Sequence, residues 1–193
     1  MKQPPAVLLP LLRSPFQGEL LAWLFLHPEE ETSLTELAQR FGKSESTVSR
    51  EASRLRDADL ISERRTGNLR LIRANTDTLI ARPLTELLAL TYGPTAVLGE
   101  LLPPVEGVTE AYIFGSWAAR YRGEPGPVPR DVDVLVVGTA DQDDLYDVAR
   151  TAERTLGREV SIRQVSPTAW AGHGDDPFLT AVRERPLVGL DER

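Results

Sequence analysis

Apolar residues at Leu20, Leu21, Leu24 and Phe25 fall on one stripe of a 3.6-residue period and predict a first helix over Phe16–His27. Pro28 ends it, because proline lacks an N–H and its ring clashes with the preceding turn. Ser33-Leu34-Thr35-Glu36 fits a capping box, in which the serine hydroxyl caps a helix and the glutamate reaches back to the cap. Leu34, Leu37, Ala38 and Phe41 then recur at helical spacing, and Gly42 stands where a left-handed terminal residue is wanted. Ser44 is the expected N-cap of a third helix, with Val48, Ala52 and Leu55 turned inward. That arrangement leaves Ser46, Ser49, Arg50 and Ser53 on the opposite face, bordered by Thr47 and Arg54.

Leu60–Arg73 changes period. Its alternating residues around Gly67-Asn68 predict a two-stranded hairpin, with Arg64, Arg65 and Arg70 crowding its stem and tip. Beyond it, Asp77–Tyr92 is helical in pattern, and Pro83 implies a break or kink near Arg82. A short helix over Ala96–Leu102 ends at Pro103-Pro104. These leucine-rich segments exceed what a free linker needs, so they suit either packing between domains or a homodimer seam.

The second half reads as strands and helices in alternation. Val108–Phe114 is rich in β-formers and runs into Gly115-Ser116, after which Trp117–Tyr121 can open a helix. A Pro- and Gly-rich loop over 123–130 leads to Asp131-Val132-Asp133-Val134-Leu135-Val136-Val137, a strand that carries two aspartates on one face. A helix over Asp141–Leu156 and a strand over Arg158–Val165 follow.

Composition narrows the chemistry. The 193 residues suit two domains of about 100 residues each, and the 41% apolar content supports packed cores. Without cysteine there are no disulfides or thiolate sites, and two histidines are too few for a histidine metal centre. No apolar run approaches the roughly 20 residues a membrane-spanning helix needs, so we expect a soluble, cytoplasmic protein with no membrane partner. The net charge of −7 is unevenly spread. Residues 1–75 carry 11 Lys and Arg against 10 Asp and Glu, whereas 76–193 carry 11 against 19. Within 40–75 the balance is 9 basic to 5 acidic, the local excess that a phosphate backbone would attract. Small hydroxyl residues let a helix approach a major groove closely, and arginine reaches base edges or phosphates. Scattered arginines on solvated helices would give the same sum, so composition leaves the two open.

Glu36-Leu37-Ala38, Gly42–Arg50, Leu55, Leu60-Ile61 and the Arg64–Arg70 wing together resemble the winged helix-turn-helix of ArsR/MarR-like regulators. The resemblance implies binding of double-stranded DNA. Its interface would comprise Ser44, Ser46, Thr47, Ser49, Arg50 and Arg54 from the helix and Arg64, Arg65 and Arg70 from the wing. Arg50 is the best candidate for base contact.

In the second half, two like charges held together on a strand need a cation or a proton, and Mg²⁺ shared with substrate phosphates meets that need. A glycine at a strand end lets phosphate approach the backbone, and Ser116 can donate to it. Phe114–Arg120 and Pro129–Leu135 resemble the minimal nucleotidyltransferases fused to winged helices, in the superfamily of DNA polymerase beta. The resemblance implies that Gly115 and Ser116 hold a nucleoside triphosphate, that Asp131 and Asp133 bind metal, and that Arg120 offsets phosphate charge. The active fold uses a third carboxylate on a later strand. Ser161 aligns there and cannot act as a base; Glu159, two residues earlier and about 6.5–7 Å away along the strand, is the available substitute as a third catalytic group. Lysine is confined to Lys2 and Lys43, leaving Arg120, Arg122, Arg130 and Arg163 to neutralise phosphate. His173, beside Asp175 and Asp176, reads as a solvated loop rather than a metal site.

The expected chain is α+β. It has a winged helix-turn-helix over 1–75, a helical linker over 76–104, and a nucleotidyltransferase-like mixed sheet flanked by helices over 105–193. Two functions follow. One is a transcriptional regulator that binds nucleotide and Mg²⁺, with residual transferase activity. The other is an active nucleotidyltransferase, resembling antitoxin-type enzymes, that modifies a protein or small molecule recruited by the winged helix. A catalytically idle fold serving as a dimerisation scaffold is the third reading.

Overall fold

A computed structural model describes residues 12–172 and 176–190. The chain divides into two compact units, Met1–Tyr92 and Gly93–Arg193. Among the described residues, no helix is long and apolar enough to cross a membrane.

In the first unit, Ser14 caps α1 (Pro15–Leu26) by accepting from the Gln17 amide, and Pro15 sits in the first turn, where its missing N–H costs nothing. Residues Thr32–Ser33 (β1) precede α2 (Leu34–Phe41), whose capping box forms as the sequence predicts: Ser33 Oγ accepts from the Glu36 amide and Glu36 accepts from the Ser33 amide. Gly42 closes α2 at φ 58°, in the left-handed region. Ser44 caps α3 (Glu45–Asp57) through the Thr47 amide. β2 (Ile61–Thr66) and β3 (Leu69–Ala74) form the hairpin, joined through Gly67 at φ 59°. The three strands make one antiparallel sheet in the order β1-β3-β2. Leu20, Leu24, Phe25, Leu37, Val48, Leu55 and Ile72 are enclosed between the helices and this sheet. Three helices and a β-hairpin closed by a short third strand constitute a winged helix-turn-helix, with α3 as its second turn-helix element.

The hairpin buries Ile72 and Ala74, whereas Leu69 is half exposed at its tip. A single face of β3 therefore meets the core, the one that also carries Arg70.

Residues 76–104, expected as a helical linker, divide between the two units. α4 (Ala81–Tyr92) packs against α1 of the first unit. Gly18 makes that close approach possible, because a Cβ there would overlap the Tyr92 side chain. α5 (Pro94–Leu101) packs against α7 (Gln142–Leu156) of the second unit. Of the break or kink expected near Arg82 in the segment 77–92, the break arises: residues 77–80 form turns and a bend rather than helix. The helix begins at Ala81, so the proline lies in the first turn, where its amide has no intrahelical partner to lose.

The second unit runs β4 (Val108–Phe114), α6 (Gly115–Tyr121), β5 (Asp131–Gly138), α7, β6 (Glu159–Val165), α8 (Pro167–Ala171), α9 (Pro177–Arg183) and β7 (Val188–Gly189). The sheet order is β6-β5-β4-β7, with β5 and β6 parallel and the other pairs antiparallel, so it is mixed as expected. The parallel pair is bridged by α7, which is capped by Asp141 and ended by Gly157 at φ 67°. One sheet face buries Val132, Val134 and Val136 with Ala111 and Ile113. The other holds Leu135 against Leu179 and Val182, with Tyr112, Phe114, Trp170 and Phe178 packed around them.

Candidate functional site

Two groups of residues carry chemistry, one in each unit. On α3, Val48, Ala52 and Leu55 are fully enclosed, which fixes the opposite face outward. Arg50 and Ser46 are exposed there. The capping hydroxyl of Ser44 lies 3.0 Å from Ser46 Oγ and 2.9 Å from Thr47 Oγ1, a small hydroxyl cluster at the helix N-terminus. Arg54 pairs at 3.1 Å with Glu51, which is buried and also accepts from Gln17 Nε2.

The wing arginines differ sharply in what they touch. Arg64 forms a bidentate pair with Glu31 of the segment before β1, with Nε 2.9 Å from both carboxylate oxygens. Arg70 donates from Nε and Nη2 to the two oxygens of Glu63, each at 2.8 Å, and from Nη1 to Ser49 Oγ at 2.6 Å. Both glutamates are held below the usual carboxylate range, chiefly by these arginine hydrogen bonds. Arg50 and Arg65, by contrast, make no hydrogen bond or ion pair among the described residues. Of the nine positions expected to meet DNA, Ser49, Arg54, Arg64 and Arg70 therefore have partners elsewhere in the protein, and Ser44, Ser46 and Thr47 bond to one another. Glu31 and Glu63, which hold these arginines, are not among the positions expected from the sequence. The signal for Glu63 was present in the hairpin: with Arg65 opposite Arg70 in register, Glu63 lies diagonally across from Arg70, within reach of a long side chain.

In the second unit, the strand-to-helix bend after β4 places Gly115 at φ 68°, where a Cβ would stand 2.6 Å from Asp133 Oδ2. The glycine is required twice over, by backbone conformation and by the neighbouring carboxylate. Asp133 pairs in register with Phe114 on one side and with Ser161 on the other. Asp131 pairs with Glu159. Alternation along the strands puts all five side chains on one sheet face. Burial raises the Asp133 carboxyl above its ordinary pKa, and the Asp131 charge beside it raises it further. Asp131, Ser116 and Glu159 are exposed. No group of three or more His, Cys, Asp or Glu is gathered as a metal cluster among the described residues. The two aspartates alone fit Mg²⁺, which takes one or two carboxylates and completes its shell with water and substrate phosphates.

Arg120 reaches the loop that follows α6. Its Nη1 donates to the Glu124 carbonyl, and Gly126 lets the 123–130 loop lie against its guanidinium. Arg122 is likewise occupied, donating to the Leu187 carbonyl at 3.0 Å. Arg163 lies on the aspartate-bearing face, with its guanidinium 3.6 Å from the centre of the Phe178 ring, whose edge meets Phe114. His173 and Asp175 lie outside the described residues, while Asp176 caps α9 through the Phe178 amide.

No family model and no curated protein matches the chain. Among solved structures it is similar to reduced HlyU from Vibrio cholerae N16961, 24% identical, over 44% of this chain and 83% of that one, with a TM-score of 0.36. It is also similar to the transcriptional repressor BigR from Xylella fastidiosa, 26% identical, over 43% and 78%, with a TM-score of 0.36. At these scores neither likeness bears on function, which is read below from side-chain geometry.

Proposed function

We propose that the chain is a regulator that reads double-stranded DNA through its winged helix and binds a nucleoside triphosphate with Mg²⁺ in its second unit. The observation that carries the DNA reading is the outward face of α3, where exposed Arg50 projects clear of internal partners among the described residues, beside the Ser44, Ser46 and Thr47 hydroxyls and a basic wing. A helix end of small hydroxyl residues fits closely into a major groove, and an arginine free of protein partners keeps its donors for a guanine edge. The local excess of positive charge over 40–75 supplies the attraction to phosphate.

In the second unit, the proximity of Gly115 to Asp133 supports the nucleotide part of the reading. Asp131 and Asp133 would hold Mg²⁺, and the ion would screen charge between the carboxylates and the phosphates. Ser116, exposed in the first turn of α6, would donate to a phosphate oxygen. The register that sets Ser161 beside Asp133 favours binding over transfer, because a serine hydroxyl is no base at neutral pH. Glu159 stands beside Asp131, two residues along the strand from the position a third carboxylate would take. A tandem of reader and ligand-binding unit suits nucleotide-dependent control of DNA occupancy, and a homodimer would suit a two-fold operator.

Selection from a random duplex pool by the full-length chain tests the DNA reading: a recovered consensus supports it, and an unenriched pool refutes it. Calorimetric titration with MgCl₂ and each nucleoside triphosphate tests the second unit. Uptake by the wild type and loss in Asp131→Asn/Asp133→Asn is expected; no uptake by the wild type ends the nucleotide reading.

A further inference from the structure

The wing carries Arg64, Arg65 and Arg70, and the partners of these three residues sort them into different tasks. Cross-strand neighbours share a face, so Ile61, Glu63 and Arg65 of β2 lie on the same side as Ala74, Ile72 and Arg70 of β3. Ile61, Ile72 and Ala74 are buried, which identifies this side as the one turned toward the helices. Toward the tip the apolar residues give way to the charged group Glu63, Arg65 and Arg70. Arg64 belongs to the other side of the hairpin, where Glu31 holds it.

Each of the three guanidinium nitrogens of Arg70 donates inside the protein, using three of its five N–H groups. Two go to Glu63 on the neighbouring strand, and the third spans to Ser49 on α3, 21 residues away in sequence. The side chains of Arg70 and Glu63 are only 23% and 11% exposed, against 57% for Arg64. Glu63 is drawn in further by Arg56 at 3.5 Å, near the end of the same helix. A shielded bidentate pair is geometrically stiff, because the planar guanidinium and the carboxylate fix each other in two directions. Arg65, directly opposite Arg70, has no such partner and keeps its charge at the exposed end of the same face.

Resting on the DNA reading above, we infer that Arg70 is a positioning residue that braces the wing against α3 through Ser49. Arg65 is then the wing residue that meets phosphate. Ser49 serves the brace and reads no base. Glu63 holds the arginine in place and keeps it from DNA. The brace makes the wing and the recognition helix one rigid reading head, so a phosphate gripped at the wing sets the register in which Arg50 meets base edges. Loss of a phosphate contact lowers affinity on all sequences alike, whereas loss of the brace lowers discrimination between sequences.

The salt dependence of binding separates these roles, since each phosphate neutralised contributes about 0.9 to the slope of log K against log salt. With the full-length chain and an operator selected by it, Arg65→Ala is expected to flatten the slope by about 0.9. Arg70→Ala and Arg70→Lys are expected to leave the slope unchanged. They should instead shrink the operator's advantage over a single-base-pair variant, about 5- to 150-fold in the parent, toward unity. Glu63→Gln frees the arginine and is expected to steepen the slope by about 0.9 while losing discrimination. Should Arg70→Ala fail to fold, Arg70→Lys and Glu63→Gln preserve side-chain volume and decide the matter. An Arg70→Lys or Arg70→Ala slope flattened as much as that of Arg65→Ala, or a Glu63→Gln slope equal to the parent's, overturns the brace while leaving DNA binding intact. Failure of the wild type to select any operator removes the DNA reading and the brace with it.

Discussion

Replacing Gly115 with alanine tests the geometry of the second unit more closely than any loss of charge. At φ 68° the backbone is left-handed, which costs an L side chain about 1–2 kcal/mol. The new methyl would also stand 2.6 Å from Asp133 Oδ2. The carboxylate is the end of a short side chain, so it would yield by rotating from its preferred position, at about 0.5–1.5 kcal/mol. A total loss of about 1.5–3.5 kcal/mol is therefore expected in chemical denaturation of the second unit, followed through Trp117 and Trp170 in a Trp23→Phe background. The two contributions separate in a double-mutant cycle. With Asp133 already alanine, Gly115→Ala should cost only the backbone part, leaving a coupling of about 0.5–1.5 kcal/mol. The displaced carboxylate also predicts loss of Mg²⁺-dependent nucleotide uptake in Gly115→Ala. An equal cost in both backgrounds, or a substitution without effect on stability, would refute the placement of Asp133 against the bend.

Other substitutions address the remaining elements. The raised Asp133 carboxyl implies that the folded state favours the protonated form; its penalty is absent below the ordinary carboxylate range and fully present above the raised value. Asp133→Asn should therefore raise the thermal midpoint at neutral pH in EDTA and change it little near pH 3, while abolishing stabilisation by Mg²⁺. A midpoint lowered at neutral pH would contradict this. Ser161→Asp places a carboxylate beside Asp133 in register, and gain of pyrophosphate release from labelled nucleoside triphosphate over the wild type is expected in the presence of Mg²⁺ and cell extract; a mutant as inert as its parent would show that more than this group is missing. Ser33→Ala removes the α2 cap and is expected to cost about 0.5–2 kcal/mol of stability in the first unit, measured by denaturation.

The first unit was largely legible in the sequence because its signals are local. The Ser33/Glu36 box, Gly42, the Ser44 cap and the Gly67 turn each act within a few residues of themselves, and each lies where the pattern placed it. β1 was not legible: two residues carry no periodicity, and Thr32–Ser33 become a strand only by pairing with Leu71 and Ile72. The fate of 76–104 was hidden for the same reason, since only tertiary packing decides which unit claims an apolar helix. The pairing of Arg64 with Glu31 joins residues 33 positions apart and left no local trace. In the second unit, period-two alternation was enough to put Asp131 and Asp133 on one face, and the glycine at the bend was readable as a close approach. The partner across the bend was not, because the register of β4 against β5 selects Asp133 rather than Asp131. The engagement of Arg120 with the loop 124–126 left no local trace either, because a long side chain one turn into α6 reaches that loop as easily as the bend.

The most direct test of DNA reading by α3 is fluorescence anisotropy of a selected operator titrated with wild-type chain and with Arg50→Ala at fixed salt. A loss of about 1–3 kcal/mol on the operator, with binding to unrelated duplex nearly unchanged, is the predicted result. Equal affinity of the two proteins for the operator, or an equal loss on every duplex, would contradict the assignment of α3 as the reading helix.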